Sequence, residues 1–372
     1  MKETTGKNLF VIVPQHVPSG PVKGALAICN YLCDYMPVTF VAVKTPVQQD
    51  GTLRPEVRTL SLAEGKGIFQ KARMFRTALA AAGGRKQNVS LSMCFAADLV
   101  NLFAAGLATR ITSVRGNLLR NYAGDYGPAG IPFAIVHLLM LHGMDLVLSM
   151  SDAMTRQLRL FGHFGTRLIR NFIDEDAAAR DAESNADMRA PTPTKEADGE
   201  ITFAFLGSLT RRKRPELVID TVAKLQGARI PSRAVMVGSG PLAAQLAKYA
   251  EYRGVSDRIR FAGQVRNPLP ELKHCDYLLL PSSSEGVPRA ALESLFVGVP
   301  CILRDVDANR ELIREGRTGL LFKDDEELSH VVMQAATAHQ RSAQVHKDIL
   351  LPAEYRQANN CKQLLEILLN GK

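Results

Sequence analysis

Two carboxylates with seven residues between them, Glu285 and Glu293, are the side chains of this 372-residue sequence best placed to do chemistry. Glu293 stands among Ala290, Ala291, Leu292, Leu295 and Phe296, one acid in a mostly apolar helix. A carboxylate in such surroundings needs partners, because an unpaired buried charge is too costly to leave alone. The hydroxyls of a sugar or ribose would serve. So would an arginine brought from elsewhere or a partly solvated helix face, and both readings stay open at this level. A second concentration of charge, Arg211, Arg212, Lys213 and Arg214, lies in GSLTRRKRPEL between a strand end and a helix start, where backbone N–H groups and the helix dipole favour anions. Four adjacent basic residues also describe a solvated face, the reading kept for Arg211 and Arg214. The turn Gly238-Ser239-Gly240-Pro241 is weak evidence alone, since any tight strand-to-helix turn uses glycine; its position after the basic loop strengthens it.

The elements that must hold these residues follow from pattern. Tyr277 to Leu303 reads as strand, loop, helix, turn, strand: Tyr277–Leu280 is a short apolar run, Pro281–Gly286 a cluster of breakers, and Gly298 a C-terminal stop before the strand Val299–Leu303. Pro288 is placed at the first helical residue, where its fixed φ fits and its missing N–H is not needed. Strands are predicted at Asn8–Val13, Val38–Val43, near Val57–Leu60, and at Val89–Met93, Arg110–Val114, Leu146–Ser149, Arg167–Ile169, Ile201–Leu206 and Ala234–Val237. Helices are predicted at Val22–Tyr35, Ile68–Ala82, Ala97–Leu107 and Pro132–Leu141, with Ser151 capping another that runs to Gly162. This alternation predicts an α/β protein with parallel sheets covered by helices, in which ligands bind outside the carboxyl ends of the strands.

The pattern P-S-x-x-E-G-x-P-x-x-x-x-E followed by G-x-P-x-I resembles the signature of retaining glycosyltransferase family four. That resemblance implies the GT-B architecture, two facing Rossmann-like domains, with Glu285 on hydroxyls of the donor sugar and Glu293 on the ribose of the nucleotide. Where many members have Gly-Phe-Gly, this chain has Gly286, Val287 and Pro288, similar to a variant among bacterial surface-polysaccharide enzymes. Lys213 matches the lysine that binds the donor diphosphate. Ser208 replaces the usual arginine after the glycine, with Arg212 as a substitute. Gly238 belongs to the donor-side turn, and Arg258–Gly263 resembles the strand whose following residues, Gln264 and Val265, hold the nucleobase. Backbone amides from Gly286 to Arg289, with Lys213 and Arg212, would stabilise the leaving diphosphate. Of the family's first glycine loop only Gly20 is left, and Arg115 stands where many members have a histidine. Arginine cannot act as a base, so its role would be electrostatic; an ordinary ion pair is the alternative. Asn171–Asp174 resembles the family's crossing between domains, and Asn309–Phe322 another of its segments.

The reading is therefore a retaining glycosyltransferase of hexosyltransferase type, moving a sugar from a nucleotide-diphosphate donor, a UDP-sugar, to a hydroxyl of a lipid-linked or surface-glycan precursor. The rivals are a GT-B nucleotide-sugar epimerase, which needs no acceptor, and a non-catalytic partner subunit that keeps the fold. Expected boundaries are 1–173 for an acceptor-side domain, 174–200 for an acidic mobile linker, 201–353 for the nucleotide-sugar domain and 354–372 for a helix crossing back. No cofactor or metal is expected: Asp305-Val306-Asp307 is a D-x-D, but it follows the Glu285/Glu293 motif and matches a variable turn of the family.

Charge adds a partner. Residues 174–200 carry net −6 in a chain of +9, so the remainder carries +15. That surplus favours an anion: a nucleotide diphosphate, an anionic membrane surface, or nucleic acid. No zinc-finger spacing, RNP-like motif or basic helix supports the last, and nucleic acid is not expected. The six scattered cysteines have no metal-ligand spacing and suit a reducing cytoplasm. The first residues lack the apolar core of a signal peptide, and the greasy stretch Ile131–Met150 is interrupted by His137, His142, Gly143 and Asp145, so no transmembrane helix is expected.

Overall fold

The computed structural model describes residues 6–370 other than 18, 49, 176, 179–198, 266, 307 and 342–347. Most of the acidic stretch and Asp307 therefore lie outside the described residues. The chain forms two compact units, one of Met1–Leu119, Ala129–Asp174 and Ala353–Lys372, the other of Arg120–Pro128 and Glu175–Pro352.

The first unit runs β1 Asn8–Val13, α1 Gly20–Leu32, β2 Val38–Ala42, β3 Arg58–Ser61, α2 Gly67–Ala82, β4 Asn88–Met93, α3 Phe95–Leu102, β5 Thr109–Ser113, then the start of α4 Leu118–Tyr126, α5 Gly130–Met140, β6 Leu146–Ser149, α6 Asp152–Leu160 and β7 Arg167–Leu168. Its strands are parallel in the order β3-β2-β1-β4-β5-β6-β7. Both faces are covered, so β1 is a continuous apolar run: Leu9, Val11 and Val13 enter one core with α1, while Phe10 and Ile12 enter the other with Phe75 and Leu79 of α2 and Val100 of α3. Two helices stop earlier than their periodicity predicts. α1 ends at Leu32 rather than Tyr35, and the chain turns there, with Tyr35 N and Met36 N both donating to the Leu32 carbonyl at 2.9 and 3.1 Å. α3 ends at Leu102 rather than Leu107, and Gly106 then takes φ +80°.

The second unit runs β8 Ile201–Leu206, α7 Glu216–Gly227, β9 Ser232–Val237, α8 Ala243–Tyr252, β10 Ile259–Gly263, α9 Leu269–Lys273, β11 Tyr277–Leu280, α10 Arg289–Phe296, β12 Cys301–Arg304, α11 Asn309–Leu312, β13 Gly319–Phe322 and α12 Asp325–Arg341. Its parallel order is β10-β9-β8-β11-β12-β13. The direction of winding reverses between β8 and β11, which opens a crevice at their carboxyl ends. The last helix, α13 Gln357–Asn370, belongs to the first unit, where Cys361, Leu364 and Leu368 join the α1 core and Lys7 Nζ bonds the Leu368 carbonyl at 2.8 Å.

Candidate functional site

The loops leaving β8 and β11 flank that reversal, and they carry the charges singled out from sequence. After β8 the chain makes a 3-10 turn, Arg211–Lys213, and closes it with Arg214 in the left-handed region at φ 49°. The two loops are stitched together. Ser283 N donates to the Arg212 carbonyl at 2.9 Å, and Arg212 Nη1 donates to the Ser284 carbonyl at 2.9 Å. Lys213 Nζ and Glu285 Oε1 then form a close ion pair. Glu285 is only 5% exposed, so burial pushes its carboxyl up; the charge and hydrogen bond of Lys213, with Arg212 beyond, outweigh burial and hold it below the ordinary carboxylate range.

Glu293, buried inside α10, bonds Arg289 Nε at 3.0 Å, one turn earlier on the same helix. The arginine envisaged as an alternative partner is thus local. A nucleotide ribose reaching Glu293 would share it with a guanidinium. α10 begins at Arg289, one residue later than predicted, because Pro288 takes the extended N-cap conformation with ψ 116°. Its first turn follows directly on Gly286 and Val287, so Glu285, these residues and the helix start are one continuous arc.

Gly238 and Gly240 seal the other side. Gly238 has φ +141°, and a Cβ there would lie 1.9 Å from the Gly207 carbonyl oxygen; a Cβ on Gly240 would lie 2.4 Å from that of Leu209. Only glycine lets the β9 turn lie against the β8 loop that carries Ser208 and Lys213. Ser208 is exposed. Gln264 is exposed and accepts from Ser239 Oγ at 3.3 Å, with half-buried Val265 beside it.

Arg214 departs from the solvated reading. It makes a bidentate pair with Asp325 at 2.8 and 2.7 Å, and Asp325 also pairs with Arg304 at 2.5 Å. Arg304, 8% exposed, donates to the Pro281 carbonyl at 3.2 Å and to the Lys323 carbonyl at 3.0 Å. Pro281 opens the loop that carries Glu285. Arg304 and Asp325 were not singled out from sequence; the available signal was an arginine closing the apolar strand CILR. Within the same unit, Arg212 Nε bonds Asp125 Oδ1 at 3.3 Å and Ser284 Oγ donates to Asn121 Oδ1 at 2.9 Å.

Gly20 and Arg115 lie in the first unit. Gly20 is exposed at the start of α1, with open space where a Cβ would sit. The glycine that shapes this region is Gly24, four residues on: its Cβ would lie 2.3 Å from Arg115 Nη2. Arg115 Nη2 donates to Asn171 Oδ1 at 3.3 Å, in the Asn171–Asp174 segment. Of the D-x-D pair, Asp305 is engaged by Arg310 through Nε at 3.0 Å. Among the described residues no group of three His, Cys, Asp or Glu side chains is arranged to hold a metal, and no described helix is long and apolar enough to cross a membrane.

Residues 189–347 match the sequence model of the family described as Glycosyl transferases group 1. Over 133 residues the chain is 34% identical to the Vi polysaccharide biosynthesis protein VipC/TviE of Salmonella typhi, covering 35% of this chain and 22% of that protein. It is 30% identical over 156 residues to the GDP-mannose-dependent alpha-(1-6)-phosphatidylinositol dimannoside mannosyltransferase of Mycobacterium tuberculosis, covering 40% of this chain and 38% of that one. The chain thus spans well under half the length of these curated relatives. Among solved structures, sucrose-phosphate synthase from Thermosynechococcus elongatus superposes with TM-score 0.77 at 17% identity, covering 97% of this chain and 98% of that one. Anabaena HepE in complex with UDP and glucose gives 0.73 at 16%, covering 97% and 99%. The fold is that of GT-B proteins, two Rossmann-like units, and the sequence likeness to group 1 glycosyltransferases is confined to residues 189–347.

Proposed function

We propose that the chain is a retaining glycosyltransferase that moves a hexosyl group from a UDP-sugar to a hydroxyl of a lipid-linked or surface-glycan precursor on the cytoplasmic side of a membrane. The observation that carries this reading is the buried Lys213–Glu285 pair at the switch point between β8 and β11, with a second buried acid, Glu293, on the adjoining helix. The names of the relatives, which concern polysaccharide and phosphatidylinositol mannoside synthesis, support the glycan acceptor; the UDP and glucose of HepE support a UDP donor, whereas the mannosyltransferase is named for GDP-mannose.

A donor diphosphate entering between the loops gives Lys213 phosphate oxygens in place of Glu285. The carboxylate so released accepts hydroxyl hydrogen bonds from the sugar. As the sugar–phosphate bond breaks and the acceptor hydroxyl oxygen bonds the anomeric carbon, charge grows on the diphosphate, where Lys213, Arg212 and the α10 amides stabilise it; the hydroxyl proton passes to the departing phosphate oxygen and UDP leaves. Glu285 positions the sugar and stabilises charge; no side chain is assigned as nucleophile. A soluble assay separates this reading from an epimerase: conversion of donor alone, with no acceptor requirement, would favour the latter. Binding of donor without transfer would favour a non-catalytic subunit.

Calorimetry with UDP tests the division of labour. Glu293→Ala is expected to weaken UDP about tenfold, the worth of one charged hydrogen bond. Glu285→Ala should not weaken UDP binding, since it frees Lys213 for the diphosphate, and should reduce turnover. Equal losses of UDP affinity in both variants would count against the assignment.

No divalent ion is assigned to the reaction. With Asp305 held by Arg310 and cationic groups around the diphosphate site, transfer is expected to persist in excess chelator, and Asp305→Asn with Asp307→Asn to retain most activity. Activity lost on chelation and restored by Mn²⁺ or Mg²⁺ would make these acids ligands instead.

A further inference from the structure

The first unit displays a helix that its own core does not cover. In α5 the side chains of Ile131, Phe133, Ile135, Val136 and Leu139 are 43%, 59%, 38%, 56% and 56% exposed. The inner side is pinned: Ala134, His137 and Leu138 are buried, and His137 Nε2 lies 2.9 Å from Asp98 Oδ2, a carboxylate that also accepts from Ser92 and Thr112. α5 is thus held in a fixed orientation with its apolar remainder outward. The turn after α6 joins it, since His163 Nε2 bonds the Leu138 carbonyl at 2.9 Å and stacks on His142 with ring centroids 4.1 Å apart. That turn brings Leu160 and Phe164, 85% and 75% exposed, beside the C-terminal end of α5.

A helix apolar around most of its circumference ordinarily lies inside a core, and contiguous apolar patches of this kind on a monomer mark an interaction site. From Tyr126 to Met144 the sequence has no acid, lysine or arginine, whereas α6 exposes Arg156 and Arg159, and Arg167, at the start of β7, is exposed just beyond the turn. We propose that α5 and the α6 turn form a lipid-docking surface that seats α5 in the interface of an anionic bilayer, with the arginines on the phosphate headgroups. Eleven residues make a helix of about 16 Å, too short to span and suited to lying in the interface.

Charge complementarity selects this occupant. A second copy docked through a two-fold axis would bring the same three arginines together, and the acidic segment 179–198 offers Met188 as its one large apolar residue. The proposal deepens the reading of a membrane-borne acceptor. Its test uses neither donor nor acceptor, so the two ideas fail separately.

The chain has no tryptophan, so Phe133→Trp introduces a sole tryptophan reporter, excited selectively over the tyrosines. With vesicles of phosphatidylglycerol and phosphatidylethanolamine its emission should shift to the blue and be quenched by brominated lipid. A control, Tyr252→Trp on α8, should do neither. The triple variant Phe133→Ser, Val136→Ser, Leu139→Ser should keep the wild-type unfolding midpoint and lose about tenfold or more in vesicle partitioning, as removal of three inserted side chains requires. Arg156→Ala with Arg159→Ala should weaken the preference for anionic over phosphatidylcholine vesicles. The idea is overturned if the Phe133→Trp reporter stays solvent-exposed on anionic vesicles, or if its shift occurs without lipid and follows protein concentration, which would make α5 a contact between copies.

Discussion

Lys213→Ala is expected to lower kcat by about two to three orders of magnitude and to destabilise the second unit by about 3 kcal/mol or more. Both losses follow from one geometry. Lys213 and Glu285 are 14% and 7% exposed at the side chain, so removing the ammonium leaves a carboxylate in a site that desolvates it. Glu285→Gln should cost stability for the converse reason, since it strands the ammonium. Lys213→Met combined with Glu285→Gln removes both charges and should be closer to wild type in stability than either single variant, because the attraction only offsets desolvation. The double variant should nevertheless be inactive. Denaturant unfolding and single-turnover transfer measured on the same four proteins make the check; additive stability losses, or a Lys213→Ala enzyme with near-normal kcat, would refute the pairing argument.

The sign of the pH effect is fixed by the same pair. The folded-state pKa of Glu285 is depressed, so its contribution to stability is fully present above the ordinary carboxylate value of about 4.3 and drains away as pH falls through the lowered folded value. Wild type and Glu285→Gln should therefore converge in stability in acid and diverge toward neutrality.

How far such a site can be read from sequence depends on whether the information is local. β11, its loop and α10 were legible because an apolar run, a breaker cluster and a helix follow one another in a single window. The strand order that makes Lys213 and Glu285 neighbours was not spelled out by any local pattern, since they lie 72 positions apart; only the resemblance to a family suggested that both face one donor. It suggested separate ligands for the two, and could not say that they bond each other. Glu293 shows the opposite case. Its partner Arg289 lies one helical turn away, at a spacing that brings side chains together, so the pair was visible in principle. Gly24 escaped notice because its importance comes from Arg115, which approaches from a different strand end. Arg304 escaped because a buried arginine is recognisable only once the carbonyls it satisfies are known.

Arg304 gives the second large effect. Its guanidinium holds the Pro281 and Lys323 carbonyls and, through Asp325, the Arg214 that ends the Lys213 turn. It touches no substrate in the proposed reaction and acts on both catalytic loops as a positioning residue. Arg304→Met preserves much of the volume and removes the donors, leaving two carbonyls short of a charged partner; a loss of about 2–3 kcal/mol is expected. The Pro281 loop would then settle elsewhere, and a displacement of about 1 Å at Glu285 is enough to cost roughly 100-fold in kcat. UDP affinity should change far less, because Glu293 is fixed by Arg289 on α10. Arg304→Lys keeps the charge and loses the planar fork, so it should recover stability more than turnover. Asp325→Asn should reproduce a weaker form of the same split, since Asp325 is half-exposed and water can take its place. If Arg304→Met lost stability while kcat and KM stayed at wild-type values in the folded fraction, Arg304 would be a strut for β12 alone, and the coupling of the two loops would have to come from the Arg212 hydrogen bonds to Ser283 and Ser284.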